Sequence, residues 1–105
     1  MDIHVSTDNF LHGDDGVAEV AEAAVQTDLG HMDDWLTRVE VHLKDQNGEK
    51  KGPAHIRCTM EARPRGLAPM AAHADAPNIP AALKGAATKL RGRLQSMHDK
   101  RDPHR

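Results

Sequence analysis

Four cations in the stretch "NIPAALKGAATKLRGRLQSMHDK" (residues 78–100), Lys84, Lys89, Arg91 and Arg93, have the types and spacing that point most directly to a chemistry. Wound as a helix at about 100° per residue, the stretch places Lys84 and Arg91 on one flank of an apolar stripe. Lys89, Arg93 and Lys100 fall on the other flank. Between the flanks, facing away from the core, come Ala81, Gly85, Thr88 and Gly92, a strip almost without side-chain bulk. A phosphate backbone can approach such a strip closely while Lys and Arg engage phosphates from both edges. The competing explanation is packing, because long Lys and Arg stems cover the margins of a buried stripe. Two glycines inside a helix each cost about 1 kcal/mol relative to Ala, so Gly85 and Gly92 call for a reason.

Other constellations carry less. A predicted hairpin over residues 36–63 turns Arg38, His42, Lys44, Arg57 and Arg63 outward, but Glu40 and Glu61 lie among them. That face reads as mainly a solvated sheet surface, with Arg57 and Arg63 as secondary contacts for an anion. The chain has eight histidines, and "HGDD" (12–15) and "HMDD" (31–34) set His near acids. Neither has the spacing of a zinc or calcium loop, so capping and solvation are expected there and no metal. Cys58 alternates with inward-facing neighbours and reads as a core thiol rather than a nucleophile. Ser6 and Ser96 have no triad-like context, and no Gly-rich phosphate loop follows a strand. An enzyme is not expected, nor a cofactor.

Composition sharpens the anion-binding reading. The net charge of −2 conceals a division: residues 1–37 hold nine acids and no Lys or Arg, while residues 38–105 hold all 14 basic residues against seven acids. Such asymmetry describes a dipolar molecule with one anion-seeking side. A single cysteine excludes an internal disulfide. No apolar run nears the ~18 residues of a membrane span, and the N-terminus lacks the pattern of a signal peptide. A soluble protein of the cytoplasm is therefore expected. Phe10 and Trp35 are the only aromatics, so the core must be aliphatic, and a platform stacking successive single-stranded bases is not expected.

These residues must be positioned by a small set of elements. "DIHVST" (2–7) alternates as a short strand. Asp14 or Asp15 can cap a helix that continues through "VAEVAEAAVQTDL", with Glu19, Glu22 and Gln26 on one side and Val17, Val20, Ala21, Ala24 and Val25 on the other. Residues 36–44 and 55–63 form the hairpin around a polar loop, "DQNGEKKGPA". Two registers keep its apolar residues on one face. One sets Arg38 opposite Glu61 and Glu40 opposite Thr59; the other sets Glu40 opposite Glu61 and Arg38 opposite Arg63. Like charges across a ladder are unfavourable, so the first is preferred. Residues 66–76 suit a short edge strand, given Pro69. Asn78 can cap the last helix, with Pro80 in its first turn and a stripe of Ile79, Leu83, Ala86, Ala87, Leu90, Leu94 and Met97. The expected fold is α+β, in the order β-α-β-β-β-α, with a four-stranded sheet and both helices on one face.

The segments "LTRVEVHLKDQNGEKKGP" (36–53), "CTMEARP" (58–64) and "HADAPNIPAALKGAATKLRGRL" (73–94) make the chain similar to the ribosome hibernation promoting factor family, also known as ribosome-associated inhibitor A or sigma-54 modulation proteins. The resemblance spans residues 1 to about 100 as one domain, leaving 101–105 as a flexible basic tail. It implies a fold akin to double-stranded RNA-binding domains. It also implies binding to ribosomal RNA of the small subunit, which silences translation under stress or in stationary phase through basic side chains on the helical side. Lys89, in its "KL" pair, is the firmest match, and Lys84, Arg91 and Arg93 are its neighbours. The chain looks like the short form, ending where long forms append a dimerisation domain, so it is not expected to join two ribosomes unaided.

Departures from the pattern open a second reading. The first helix carries Glu19, Glu22 and Asp28 where relatives carry cations, the family's "DMYAAID" reads "NIPAALK", and Gly92 stands where a basic residue is usual. Acids facing RNA would repel it. The alternative is a divergent paralogue that acts on a protein partner through the acidic first helix.

Overall fold

The structure, a computed structural model, describes residues 1–8, 15–46 and 55–101, together with all their side chains except those of Asp15 and Arg101. The Asp14 or Asp15 cap, the "HGDD" acids, Phe10, most of the polar hairpin loop and residues 102–105 therefore lie outside the described residues. Strand β1 (Asp2–Thr7) leads into helix α1 (Asp15–Leu29), a 3-10 turn (Gly30–Met32), then β2 (Leu36–Asp45), β3 (Ile56–Pro64), β4 (Met70–Ala76) and helix α2 (Ile79–Arg101). The sheet order is β1-β2-β3-β4. β1 runs parallel to β2, and the other two pairings are antiparallel. The expected order and layering are those observed.

Alternation decides which face is covered. Val39, Val41 and Leu43 of β2, Ile56, Cys58, Met60 and Ala62 of β3, and Ala72 and Ala74 of β4 are buried. They meet Ala21, Val25 and Leu29 of α1 and Ala82, Leu83, Ala86, Ala87, Leu90 and Leu94 of α2. The core is aliphatic, as a chain with two aromatics requires. Trp35 is half-buried beside it and meets the His98 ring edge-on, with centroids 5.0 Å apart. Cys58 is fully buried, and desolvation pushes its thiol up to about 12, so no reactive thiolate forms there. No helix among the described residues is long and apolar enough to cross a membrane.

The hairpin takes the register that simple opposition disfavours: Glu40 faces Glu61 and Arg38 faces Arg63. Neighbouring pairs resolve the conflict. Arg38 binds Glu40 along its own strand at 2.9 Å, while Arg63 binds Glu61 along its strand at 3.4 Å and Glu40 diagonally at 3.7 Å. The four charges thus lie in two like-charged rows, in which each cation reaches an acid of the next row. An irregularity between Leu36 and Arg38 ends this run of pairs, and there the Thr37 hydroxyl donates to the Arg63 carbonyl at 3.0 Å. Beyond β3, Gly66 adopts φ +75° in a turn closed by the Leu67 amide donating to the Pro64 carbonyl at 3.1 Å. Left-handed backbone at that position suits glycine. β4 begins just after Pro69, so the proline stays out of the ladder.

α2 starts as expected, with the Ala81 amide donating to the Asn78 Oδ1 at 2.9 Å. Two positions differ from expectation. Val20 is 44% exposed, because the buried stripe of α1 runs through Ala21, Val25 and Leu29 and leaves Val20 at its margin. Gly85 does not belong to the outward strip of α2. It lies over β4, where a Cβ would come within 2.8 Å of the Ala74 Cβ, so its missing side chain allows helix and strand to approach. Around Gly92 nothing lies within 4 Å. The two glycines should therefore respond oppositely in urea denaturation. Gly92→Ala gains stability, up to about 1 kcal/mol from helix propensity, whereas Gly85→Ala loses ~1 kcal/mol or more to overpacking.

Candidate nucleic-acid interface

The six basic residues singled out by spacing fall into three places. Lys84 and Arg91 lie on the flank of α2 that faces α1. There both reach the carboxylate of Asp28, at 3.5 and 3.3 Å. Asp28 is only 2% exposed and occupies a position on the buried stripe of α1, three residues after Val25. A carboxylate so enclosed carries a large desolvation cost unless cations and hydrogen bonds compensate it. Lys84 and Arg91 remain exposed at their outer sides, so one acid is shared by two cations and the group retains a positive charge.

Lys89 and Arg93 lie on the opposite flank, above the outer edge of the sheet. Lys89 Nζ donates to the His73 carbonyl at 3.0 Å, and Arg93 Nη1 donates to the Ala71 carbonyl. Both carbonyls are edge groups of β4, left without a strand partner on that side. The two cations thus cover an edge that would otherwise stand open to pairing. Carbonyls do not neutralise charge, and both side chains are exposed. Ala81, Thr88 and Gly92 form the outward strip between the flanks, all three exposed. The helix with its side chains is about 10–12 Å across, so an approaching polyanion meets cations on both sides of one narrow ridge.

Arg57 and Arg63 are not part of this ridge. They project from β3 on the sheet face opposite the helices. Arg57 is bound by both oxygens of Asp75, at 2.8 and 3.0 Å, and Arg63 by Glu61 and Glu40. The hydrogen bonds from Arg57 hold the Asp75 carboxyl below the usual carboxylate range, with desolvation acting against them. The same bonds push the Arg57 guanidinium above its ordinary value. Spacing alone missed Asp28, whose place on the apolar stripe of α1 was the available signal.

Two helices laid on one face of a mixed four-stranded sheet, with the cations gathered on the longer helix, make a two-layer α+β domain. The same architecture occurs in a ribosomal subunit interface protein from Coxiella burnetii, with a TM-score of 0.74 at 11% identity over 93% of this chain and 98% of that one. It occurs again in the Protein Y N-terminal domain of Thermus thermophilus, with a TM-score of 0.70 at 14% identity over 92% of this chain and 99% of that one. No curated protein matches the chain by sequence. Residues 3–102 match the family described as Sigma 54 modulation protein / S30EA ribosomal protein, and the chain belongs to that family.

The Arg57–Asp75 pair sets a pH dependence with a definite sign. A carboxyl whose folded value is depressed adds stability above its unfolded value, near 4, and that stability fades as pH falls through the folded value. Asp75→Asn should therefore melt slightly below the parent at pH 7, with the difference closing as acid protonates Asp75 in the folded protein as well. Thermal melts across a pH series measure it.

Proposed function

We propose that this chain is a hibernation factor of the bacterial cytoplasm, which binds ribosomal RNA of the small subunit and inhibits translation by occupancy, without chemistry. Membership of the family supports an association with ribosomes, and the likeness to the Coxiella ribosomal subunit interface protein supports the subunit surface as the place of binding. The observation that carries the RNA reading is the charge of α2. Among the described residues, Lys84, Lys89, Arg91 and Arg93 meet one carboxylate, Asp28. The ridge they flank has no bulk at Ala81 and Gly92 to hold a phosphate backbone away.

Binding by four phosphate contacts gives a slope of about −3 to −4 in log K against log salt. Cosedimentation with purified small subunits over a salt series measures it, and failure to pellet at low salt would end this reading. Neutral substitutions suit the test, because Glu at 84 or 91 would set a second carboxylate against buried Asp28. Lys89→Gln with Arg93→Gln should reduce the slope by about 2.

Asp28 opposes the polyanion for the same two cations. Asp28→Asn, close in shape and uncharged, should tighten binding at low salt and steepen the slope. The gain should appear in cosedimentation of the single variant and disappear when Lys84 and Arg91 are both Gln.

A further inference from the structure

The sheet has two outer edges, and the fold treats them differently. At β4, Lys89 and Arg93 occupy the outward carbonyls of His73 and Ala71. At β1, the Asp8 amide donates to the Leu43 carbonyl at 3.2 Å, and Thr7 is the residue aligned with Leu43. Strand geometry then fixes the rest. Even-numbered positions of β1 turn their backbone groups toward β2, and Ile3, Val5 and Thr7 turn theirs to the open side. Beyond that edge lies an open groove of about 770 Å³, lined by Asp2 and His4 on one wall and by Glu19, Glu22, Ala23 and Gln26 of α1 on the other.

The Met1 ammonium also lines this groove, but Asp33 holds it at 3.0 Å, and the other formal charges around the groove are acidic. Neither β1 nor α1 contains a Lys or Arg. Asp2, Glu19 and Glu22 are exposed, and none of them has an ion-pair partner among the described residues. Elsewhere, Asp28, Glu40, Glu61 and Asp75 all have cations in reach. A second copy of the chain pairing edge to edge would bring two such acidic sets together, which disfavours self-association. Extended polypeptide carrying cations meets both demands, because its backbone can continue the ladder while its side chains answer the acids.

We propose that the outer edge of β1 accepts an extended, Lys- or Arg-bearing segment of a partner protein as an added strand. Backbone hydrogen bonds at Ile3, Val5 and Thr7 hold it, and Asp2, Glu19 and Glu22 select its charge. This surface lies at the other end of the sheet from the Lys89 and Arg93 flank, so it stands or falls separately from RNA binding by α2.

The probe is an end-blocked heptapeptide of alternating lysine and valine, titrated into isotopically labelled protein at low salt. The amide resonances of Ile3, Val5 and Thr7 should shift, saturate and become slower to exchange with solvent. Glu19→Gln combined with Glu22→Gln should weaken binding by about tenfold without changing the melting temperature, since both side chains are exposed. N-methylation of alternate peptide amides, in either phase, tests the backbone pairing, and at least one phase should lose binding. The proposal is overturned if those three amides stay unmoved, if both methylated peptides bind as well as the parent, or if a glutamate–valine peptide shifts the same resonances. Cosedimentation of the Lys89→Gln, Arg93→Gln variant with small subunits, run in parallel, reports on α2.

Discussion

Asp28 is the point on which the arrangement of the helical layer turns. Aliphatic contacts hold α1 and α2 against the sheet, but they are non-directional and tolerate sliding. One buried carboxylate answered by two cations does not. Lys84 and Arg91 are seven residues apart on α2, about two turns or ~11 Å along the axis, and Asp28 must sit between them to reach both. The position of α1 along α2 is fixed by that requirement. The following 3-10 turn then lies beside the far end of α2, where His31, Met32, Asp34 and Trp35 share a cleft of about 270 Å³ with Gln95 and His98. The two helices consequently run in the same direction.

Lys84, Lys89, Arg91 and Arg93 each serve the fold before they serve any ligand. One pair satisfies a buried acid and the other covers a strand edge, yet most of their charge stays uncompensated and faces solvent. Packing and polyanion binding are therefore not competing explanations of the same residues. The stems and donor groups do structural work while the charge remains available. Arg57 and Arg63 are different: each is matched by carboxylates on its own sheet face, which agrees with a solvated surface of mixed sign.

Much of this was legible in the sequence because periodicity is local. Alternation, turn residues and the stripes of the two helices identified the four strands and both helices, though not the 3-10 turn at Gly30–Met32, and the Asn78 cap set where α2 begins. Three features were not legible, and each depends on a distant partner. The hairpin register brings same-strand and diagonal ion pairs together, where pairwise opposition alone pointed the other way. Gly85 counted as surface from helix winding, and only the position of β4 reveals it as a contact with Ala74. Asp28 counted as one more acid on an acidic helix, whereas its cations lie more than fifty residues away. For the site, sequence located the ridge on α2 but could not divide its cations between a buried acid and a strand edge.

The contact between Trp35 and His98 has a practical consequence. Trp35 is the chain's one tryptophan, and there is no tyrosine. Tryptophan emission therefore arises at a single place, where the loop before β2 touches the C-terminal turns of α2. The protein carries its own optical gauge of whether that helix end is seated, and it needs no attached dye.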